Sequence, residues 1–443
     1  MMRARRIAGA VVALAALAGP ALAAGPAARF PQPEFETDYR MPTMQTPPAR
    51  ASLWQPLDVA LLAGALALTA WFTLRRRRRR GVVGLVLFSI AYFGFWRRGC
   101  VCSVGSIQNV AAALADPAFP ISWAVLAFFA LPLLAALFWG RAFCGGVCPL
   151  GAIQDIVVLK PLRVPRGLQR ALEFVPAVLL GLVVLLAAGG ADFWLCRLDP
   201  FVPIYRLHGD AALLTTGAVL LLIGIVIARP YCRFLCPYGA LLGWASALSW
   251  RRVTITPNEC IQCRLCEKAC PFGQIREPTP VRPPEPRERG MLRLAIALFA
   301  LPLLVAAGAL AGRGAGPLFA RTHRTVRLAE QIAAEERNPA LRRTLDSDAF
   351  RGMGRGNAEL FAEAADRLRF FQAGGGWFGG YVGLLFGGNL IALCVRRSRT
   401  DYEPDRLGCL SCGRCFLSCP KERERSKGGK RPGCGESPRC AET

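Results

Sequence analysis

The chain has 443 residues, 53% of them apolar, or about 61% when glycine replaces tyrosine in the tally, against about 45–50% in globular domains, which excludes an ordinary soluble enzyme. Only 19% is charged, yet 55 Lys and Arg against 30 Asp and Glu leave a net +25, an excess suited to a membrane surface or to nucleic acid. Eighteen Cys beside two His, His208 and His323, exclude a multi-haem cytochrome with paired His ligands and leave thiolate as the plentiful ligand.

The N-terminus reads as an export signal. Arg3, Arg5 and Arg6 precede an apolar stretch from Ile7 to Leu17, and Ala21, Leu22 and Ala23 offer a small-residue cleavage site. Residues 1–23 are therefore expected to be removed, and residues 24–54 to lie in the periplasm. Seven apolar runs follow: Leu57 to Leu74, Gly81 to Trp96, Ile121 to Gly140, Val175 to Trp194, Ala211 to Ala228, Leu294 to Ala311 and Trp377 to Val395. Each is near the roughly 20 residues of a spanning helix. The six arginines from Arg75 to Arg80 set the orientation, because short loops rich in Lys and Arg stay in the cytoplasm. Alternation then puts residues 141–170, 229–293 and everything after Arg396 inside. The block abuts a span and carries no DNA-binding pattern, so membrane lipid, not nucleic acid, is the expected partner.

Within the membrane domain, residues 55–254, the thiols follow a repeat. Cys144 and Cys148, then Pro149, Gly151 and Ala152, match Cys232 and Cys236, then Pro237, Gly239 and Ala240. Each Cys-x3-Cys-Pro element follows a span running inward, so both are expected at the cytoplasmic edge. Pro149 and Pro237 suit the first turn of an interfacial helix, whose positive end would favour a thiolate on the preceding Cys. The four thiols are candidates for a metal, a cluster or a redox disulfide; four small buried side chains would read the same way. A degenerate third copy at Cys100 and Cys102 keeps Gly105, Ile107 and Gln108, which match Gly151, Ile153 and Gln154. Together with Cys196 it is expected on the far side, as a redox centre, a disulfide or inert thiols.

Two further runs are the most specific signal. Cys260, Cys263, Cys266, Cys270 with Pro271, and Cys409, Cys412, Cys415, Cys419 with Pro420, both match C-x2-C-x2-C-x3-C-P. In that pattern three close thiolates wrap one cubane and the fourth serves its neighbour. One [4Fe–4S] cluster is then expected on Cys260, Cys263, Cys266 and Cys419, and a second on Cys409, Cys412, Cys415 and Cys270. Residues 255–285 and 401–425 would form the two halves of the module, and two spans, 286–311 and 377–396, would return the chain to the same side. Zinc also uses C-x2-C pairs, but the third Cys and the Cys-Pro ending repeat in both runs. The loop between, residues 312–376, carries 11 Arg against eight acidic residues and exceeds the approximately 60 residues for which charge bias decides sidedness. Helical spacing of Leu328 with Ile332, and of Leu360, Phe361, Ala364, Leu368 and Phe371, predicts two short amphipathic helices there. Cys394, at a span end, and Cys434 and Cys440, in a flexible tail of residues 426–443, carry no assigned role.

The expected fold is an all-α polytopic membrane protein of about seven transmembrane helices with a small α+β ferredoxin-like, two-cluster cytoplasmic module. With Cys-x3-Cys-Pro elements among spans and two ferredoxin runs behind them, the chain resembles the NosR/NapH group of polytopic membrane ferredoxins, over about Gly99 to Phe272 and again Gly408 to Pro420. The resemblance implies a bacterial inner-membrane protein that passes electrons from quinol or a cytoplasmic donor towards a periplasmic nitrous-oxide or nitrate reductase system or its flavin-bearing partner. About 33 residues separate the cleavage site from the first span and no Ser-Gly-Ala-Thr flavinylation motif occurs, so a flavin is expected on a separate subunit. The long loop between the cluster runs also departs from NapH-like proteins. No Ser/His/Asp arrangement, Walker loop or carboxylate pair is present, which points to an electron-transfer component and not a stand-alone catalyst. A further membrane-edge metal or cluster and a quinone are the candidate additional cofactors. The other reading is a redox-sensing or copper-handling assembly factor for a periplasmic metalloenzyme, since soft thiolates suit Cu(I).

Overall fold

A chain that crosses lipid has no water to satisfy its backbone N–H and C=O groups, so it closes those bonds within helices. All seven apolar runs do so. The computed structural model describes residues 54–427 apart from 100–101, 160, 163, 256–259, 280–285, 339–342 and 396–398. The expected signal peptide, nearly all of the segment after it, Cys100, Cys434 and Cys440 lie outside the described residues. In chain order the elements are α1 (Trp54–Ala70, continued by a wide turn to Arg75), α2 (Arg79–Ser89, continued to Trp96), α3 (Ser103–Ala115), α4 (Trp123–Trp139), α5 (Pro149–Ile156), α6 (Arg166–Ala188), α7 (Ala211–Val226), α8 (Pro237–Ala247), β1 (Ile275–Arg276), α9 (Arg287–Gly314), α10 (Arg324–Arg337), α11 (Leu345–Gly352), α12 (Asn357–Cys394) and β2 (Glu403–Pro404).

Five of these helices, with their continuations, are long and apolar enough to cross a membrane: α1, α2, α6, α9 and α12. The other two, α4 and α7, have only 17 and 16 residues, about 24–26 Å, short of the roughly 30 Å hydrocarbon core. The reason lies at their ends. Gly140 (φ +70°) closes α4 and Arg229 (φ +51°) follows α7, both in conformations that turn the backbone back into the bundle. The chain then re-enters, and α5 and α8 lead it out again.

The loop at 312–376 also differs from expectation. α10 is one of the two amphipathic helices, but the stretch from Leu360 to Phe371 belongs to α12, which runs unbroken for 38 residues, about 57 Å, and projects beyond any bilayer. Helix formers fill Asn357 to Gln372 and no Pro interrupts them. α10 and α11 pack on this projection around Ile332, Phe350 and Leu360.

α9 and α12 form a hairpin fitted through glycine. A methyl group at Gly308, Gly312, Gly379 or Gly383 would collide with a carbonyl of the facing helix, so the backbones touch directly, the close approach that small residues four apart permit in lipid. This hairpin brings the second Cys-rich run back beside the first. Gly379→Leu is expected to separate the helices at a cost above the roughly 1–3 kcal/mol of ordinary overpacking. The measurable outcome is a lower melting temperature with loss of ferredoxin iron, while a conservative change at exposed Leu384 changes neither.

The ferredoxin module is a small α+β unit. β1 and β2 pair antiparallel, Ile275 with Pro404 and Arg276 with Glu403, over a core of Val253, Ile255, Ile275, Tyr402 and Phe416. Burial pushes the Asp405 carboxyl up, but the Arg276 guanidinium at 2.6 Å and the N–H groups of Leu407 and Gly408 outweigh it and hold the carboxyl below its ordinary range. The module docks on the bundle end that carries the arginine block. Arg77 donates to Thr254 C=O (2.7 Å) and pairs with Glu422 (2.7 Å), and Arg79 donates to Cys412 C=O (2.8 Å). Arg141 donates to Leu407 C=O (3.1 Å), and Ser246 to Arg406 C=O (3.0 Å).

A candidate redox site of layered thiols

The two ferredoxin runs share one backbone solution. Gln262 and Arg264 in the first, and Ser411 and Gly413 in the second, stand at matching offsets from the leading Cys and all have positive φ. These left-handed residues curl each run around a hollow. One cavity, of about 380 Å³ including its open mouth, is lined by Cys260, Cys263, Cys266 and Cys419. The other, of about 360 Å³, is lined by Cys270, Cys409, Cys412 and Cys415. The fourth Cys of each run thus faces the other run's cavity. Burial pushes the Cys266 thiol up to about 11 and Cys409 up to about 12, so metal binding is what would make them thiolates. Among the described residues no three Cys, His, Asp or Glu side chains stand close enough to hold a single metal ion. Four thiols set apart around a cavity fit a polynuclear group, whose sulfur ligands attach to different irons.

Deeper in the bundle the Cys-x3-Cys-Pro repeats face each other. Cys148 and Cys236 are the N-caps of α5 and α8, with Pro149 and Pro237 in the first helical position. Gln154 of α5 donates to Cys232 Sγ at 3.3 Å while its carbonyl oxygen accepts the Tyr231 N–H at 3.2 Å. Each arginine reaches into the other repeat. Arg229 Nη1 donates to Cys144 C=O, and Arg141 Nη2 lies 3.0 Å from where a Cβ on Gly239 would stand. Gly151 is glycine for a like reason, since its Cβ would meet Arg229 Nη1 at 3.2 Å and Cys232 Sγ at 3.6 Å. Cys144, Cys148, Cys232 and Cys236 lie in one cluster with Tyr238 and Phe143.

Cys144 packs beside Cys270 and Cys412 at the module, whereas Cys148 and Cys236 lie deeper. Ser89 Oγ donates to Val147 C=O at 2.5 Å, and Ser89 stands ten residues, about 15 Å, into α2 from the module side. Tyr238 donates to Phe129 C=O at 2.7 Å, again ten residues, about 15 Å, from the module-side end of α4. Cys148 and Cys236 therefore sit near mid-bundle, and their repeats are re-entrant.

Cys102 lies toward the far end of the bundle. It caps α3, whose Ser103 donates to Phe128 C=O (3.0 Å), five residues or about 8 Å inside the far end of α4. Cys196 comes to meet it at Gly105. Between these two thiols and the repeats stand Tyr231, hydrogen-bonded to buried Asp199 and within electrostatic reach of both Cys102 and Cys236, and Tyr205, which donates to Pro149 C=O at 2.6 Å. Cys394, at the end of α12, is remote from these layers and its thiol donates to Arg293 C=O at 3.7 Å.

One node joins the repeats to the module. Asp155, at the end of α5, pairs with Arg414 (3.1 Å), Arg79 (3.5 Å) and Arg229 (3.5 Å), and Arg414 lies between Cys412 and Cys415. Arg229 is wholly buried and its guanidinium lies over the Phe272 ring at 5.7 Å. Sequence reading used the arginine block for orientation alone and passed over Asp155; an acid seven residues after Cys148, in an otherwise uncharged helix beside basic loops, was the available signal.

Residues 121–165 and 210–256 match a family described as 4Fe-4S binding domain, and residues 253–276 match a second family of that description. The first two stretches hold the Cys-x3-Cys-Pro repeats and the third holds the first ferredoxin run. The chain is 28% identical over 241 residues to Protein NirI of Paracoccus denitrificans, a match covering 51% of this chain and 32% of that protein. It is 28% identical over 230 residues to Regulatory protein NosR of Pseudomonas aeruginosa, covering 45% of this chain and 30% of that one. It is 26% identical over 219 residues to Ferredoxin-type protein NapH of Haemophilus influenzae, covering 45% and 75%. The chain thus spans about a third of the length of NirI and of NosR. No solved structure matches.

Proposed function

We infer that this chain, a membrane ferredoxin of the NosR/NapH type with iron–sulfur cofactors, is a conduit that carries electrons across the bacterial inner membrane. The observation that supports this most is the layering of thiols through the depth of the bundle, from the ferredoxin cavities through Cys144, Cys148, Cys232 and Cys236 to Cys102 and Cys196. Clusters on one side alone cannot serve an acceptor beyond a hydrocarbon core of about 30 Å. When bound, an iron–sulfur cluster takes up and releases electrons at a potential set by net charge, hydrogen bonds to sulfur and burial.

Cys260, Cys263, Cys266 and Cys419 would hold one [4Fe–4S] group, and Cys409, Cys412, Cys415 and Cys270 the other. Cys144, Cys148, Cys232 and Cys236 would hold a third metal centre. Arg141 and Arg229 place positive charge beside that layer, and Gln154 gives it an N–H donor. The aromatic side chains Tyr238, Phe143 and Phe129 exclude water from it. The module is read as cytoplasmic, fed by quinol or a soluble donor. The far side faces a periplasmic reductase of the nitrous-oxide or nitrate type, or its flavin-bearing subunit.

The test is iron content joined to activity. Purified full-length protein is expected to hold more than the eight irons of two cubanes, and the quadruple Cys144, Cys148, Cys232 and Cys236 to Ala variant to fall to about eight and lose transfer across the membrane. Eight irons in both, with unchanged transfer, would contradict it.

A further inference from the structure

The far-side thiols repeat the geometry of the inner ones. In the first Cys-x3-Cys-Pro element Cys148 caps α5, Gly151 faces Cys232 Sγ, and Gln154, one turn further on, donates to that sulfur. In the degenerate copy Cys102 caps α3 and accepts the Gly105 N–H at 3.4 Å, and Gly105 faces Cys196 Sγ. Any Cβ at Gly105 would stand 2.9 Å from that sulfur and 3.9 Å from Cys102 Cβ, so only glycine lets the two side chains share the space. Gln108, one turn further on and on the same helix face, is wholly buried with neither amide atom hydrogen-bonded. It stands where Gln154 serves Cys232. The two Cys differ in access. Cys102 is partly buried, whereas Cys196 is exposed beside a polar patch in which Asp192 pairs with Arg197 (2.9 Å) and Arg324 (2.8 Å).

We propose that Cys102 and Cys196 form a redox-active pair that cycles between dithiol and disulfide by exchange with a disulfide presented on the far side. In the exchange Cys196, as thiolate, attacks one sulfur of the incoming disulfide, forming a mixed disulfide and releasing the first thiolate. Cys102 then attacks Cys196 Sγ, closing the Cys102–Cys196 bond and releasing the second. Two protons pass from the protein thiols to the two released thiolates, the incoming disulfide is reduced by two electrons, and the pair is oxidised by two. Gln108 is a positioning residue that offers an N–H to the reacting sulfur. Return of the pair to the dithiol rests on the conduit reading above, with two electrons arriving from the ferredoxin side.

The test uses full-length protein with its clusters intact, incubated with oxidised glutathione, quenched in acid, alkylated and analysed by peptide mass. The expected product is a Cys102–Cys196 cross-link. Cys102→Ser should leave glutathione trapped on Cys196, and Cys196→Ser should leave Cys102 unmodified. Gln108→Leu should shift the glutathione ratio at half-oxidation without altering the iron content. No cross-link, a Cys100–Cys196 bond in its place, or a metal lost on Cys102→Ser would overturn the proposal. A cross-link that forms but is not re-reduced by a donor added on the ferredoxin side would sustain the pair and count against the conduit.

Discussion

Serine in place of Cys419 is expected to remove the centre facing Cys260, Cys263 and Cys266, not the centre of the run that Cys419 itself ends. The cause is the crossed lining of the two cavities. Cys419 faces the first run's hollow although 148 residues separate it from Cys270, the residue that makes the reciprocal crossing. A serine hydroxyl fills nearly the same space, so the fold and the hairpin of α9 with α12 should stand while thiolate ligation fails. About four irons should be lost, with one of two interacting paramagnetic signals in the reduced protein and all electron transfer. Cys270→Ser should remove the other signal. If each variant instead loses the signal of its own run, the ligand sets are not crossed.

Arg229→Leu is the second large effect. Its guanidinium is wholly buried, pairs with Asp155, donates to Cys144 C=O and lies over Phe272, so it ties re-entrant repeat, inner helix end and ferredoxin module together. Leucine fills much of the volume but leaves the buried Asp155 carboxylate short of one cation, and breaking a buried pair from one side costs about 3–5 kcal/mol. Arg414 and Arg79 remain as partners, which places the expected loss toward the lower end of that range. Thermal unfolding should fall, and the module should become accessible to protease at Arg406 and Arg414 before the helices unfold. Arg229→Lys keeps the charge without the planar fork and should fall between. Asp155→Asn combined with Arg229→Leu should cost less than the sum of the two single changes, because the pair is then removed from both sides.

Much of this was legible in the sequence and some was not, for definite reasons. Apolar runs read as helices because lipid demands it, and all seven runs form them. Their bounds were less legible. α12 extends twenty residues before Trp377 because its projecting half is amphipathic, and a search for continuous apolarity stops where charge begins. The re-entrant depth of Cys148 and Cys236 was hidden because α5 and α8, at 8 and 11 residues, are too short to register as spans. Proline after cysteine marked where each helix starts but not how deep. The roles of Arg77 and Arg79 depend on carbonyls at Thr254 and Cys412, far along the chain, so composition could report only their charge. By contrast, Gly308 and Gly312 against Gly375, Gly379 and Gly383 recur every fourth residue, and that stripe was open to a reader looking for helix contact.

The most direct measurement is made in sealed vesicles. Full-length protein is reconstituted with its ferredoxin module outward, ferricyanide is trapped inside, and dithionite is added outside without quinone or mediator. The conduit requires the trapped ferricyanide to bleach, and bleaching should stop in the Cys148→Ala and Cys236→Ala variants although their ferredoxin signals persist. Ferredoxin signals that reduce fully in the wild-type protein while the ferricyanide stays oxidised would show that electrons do not cross through this chain.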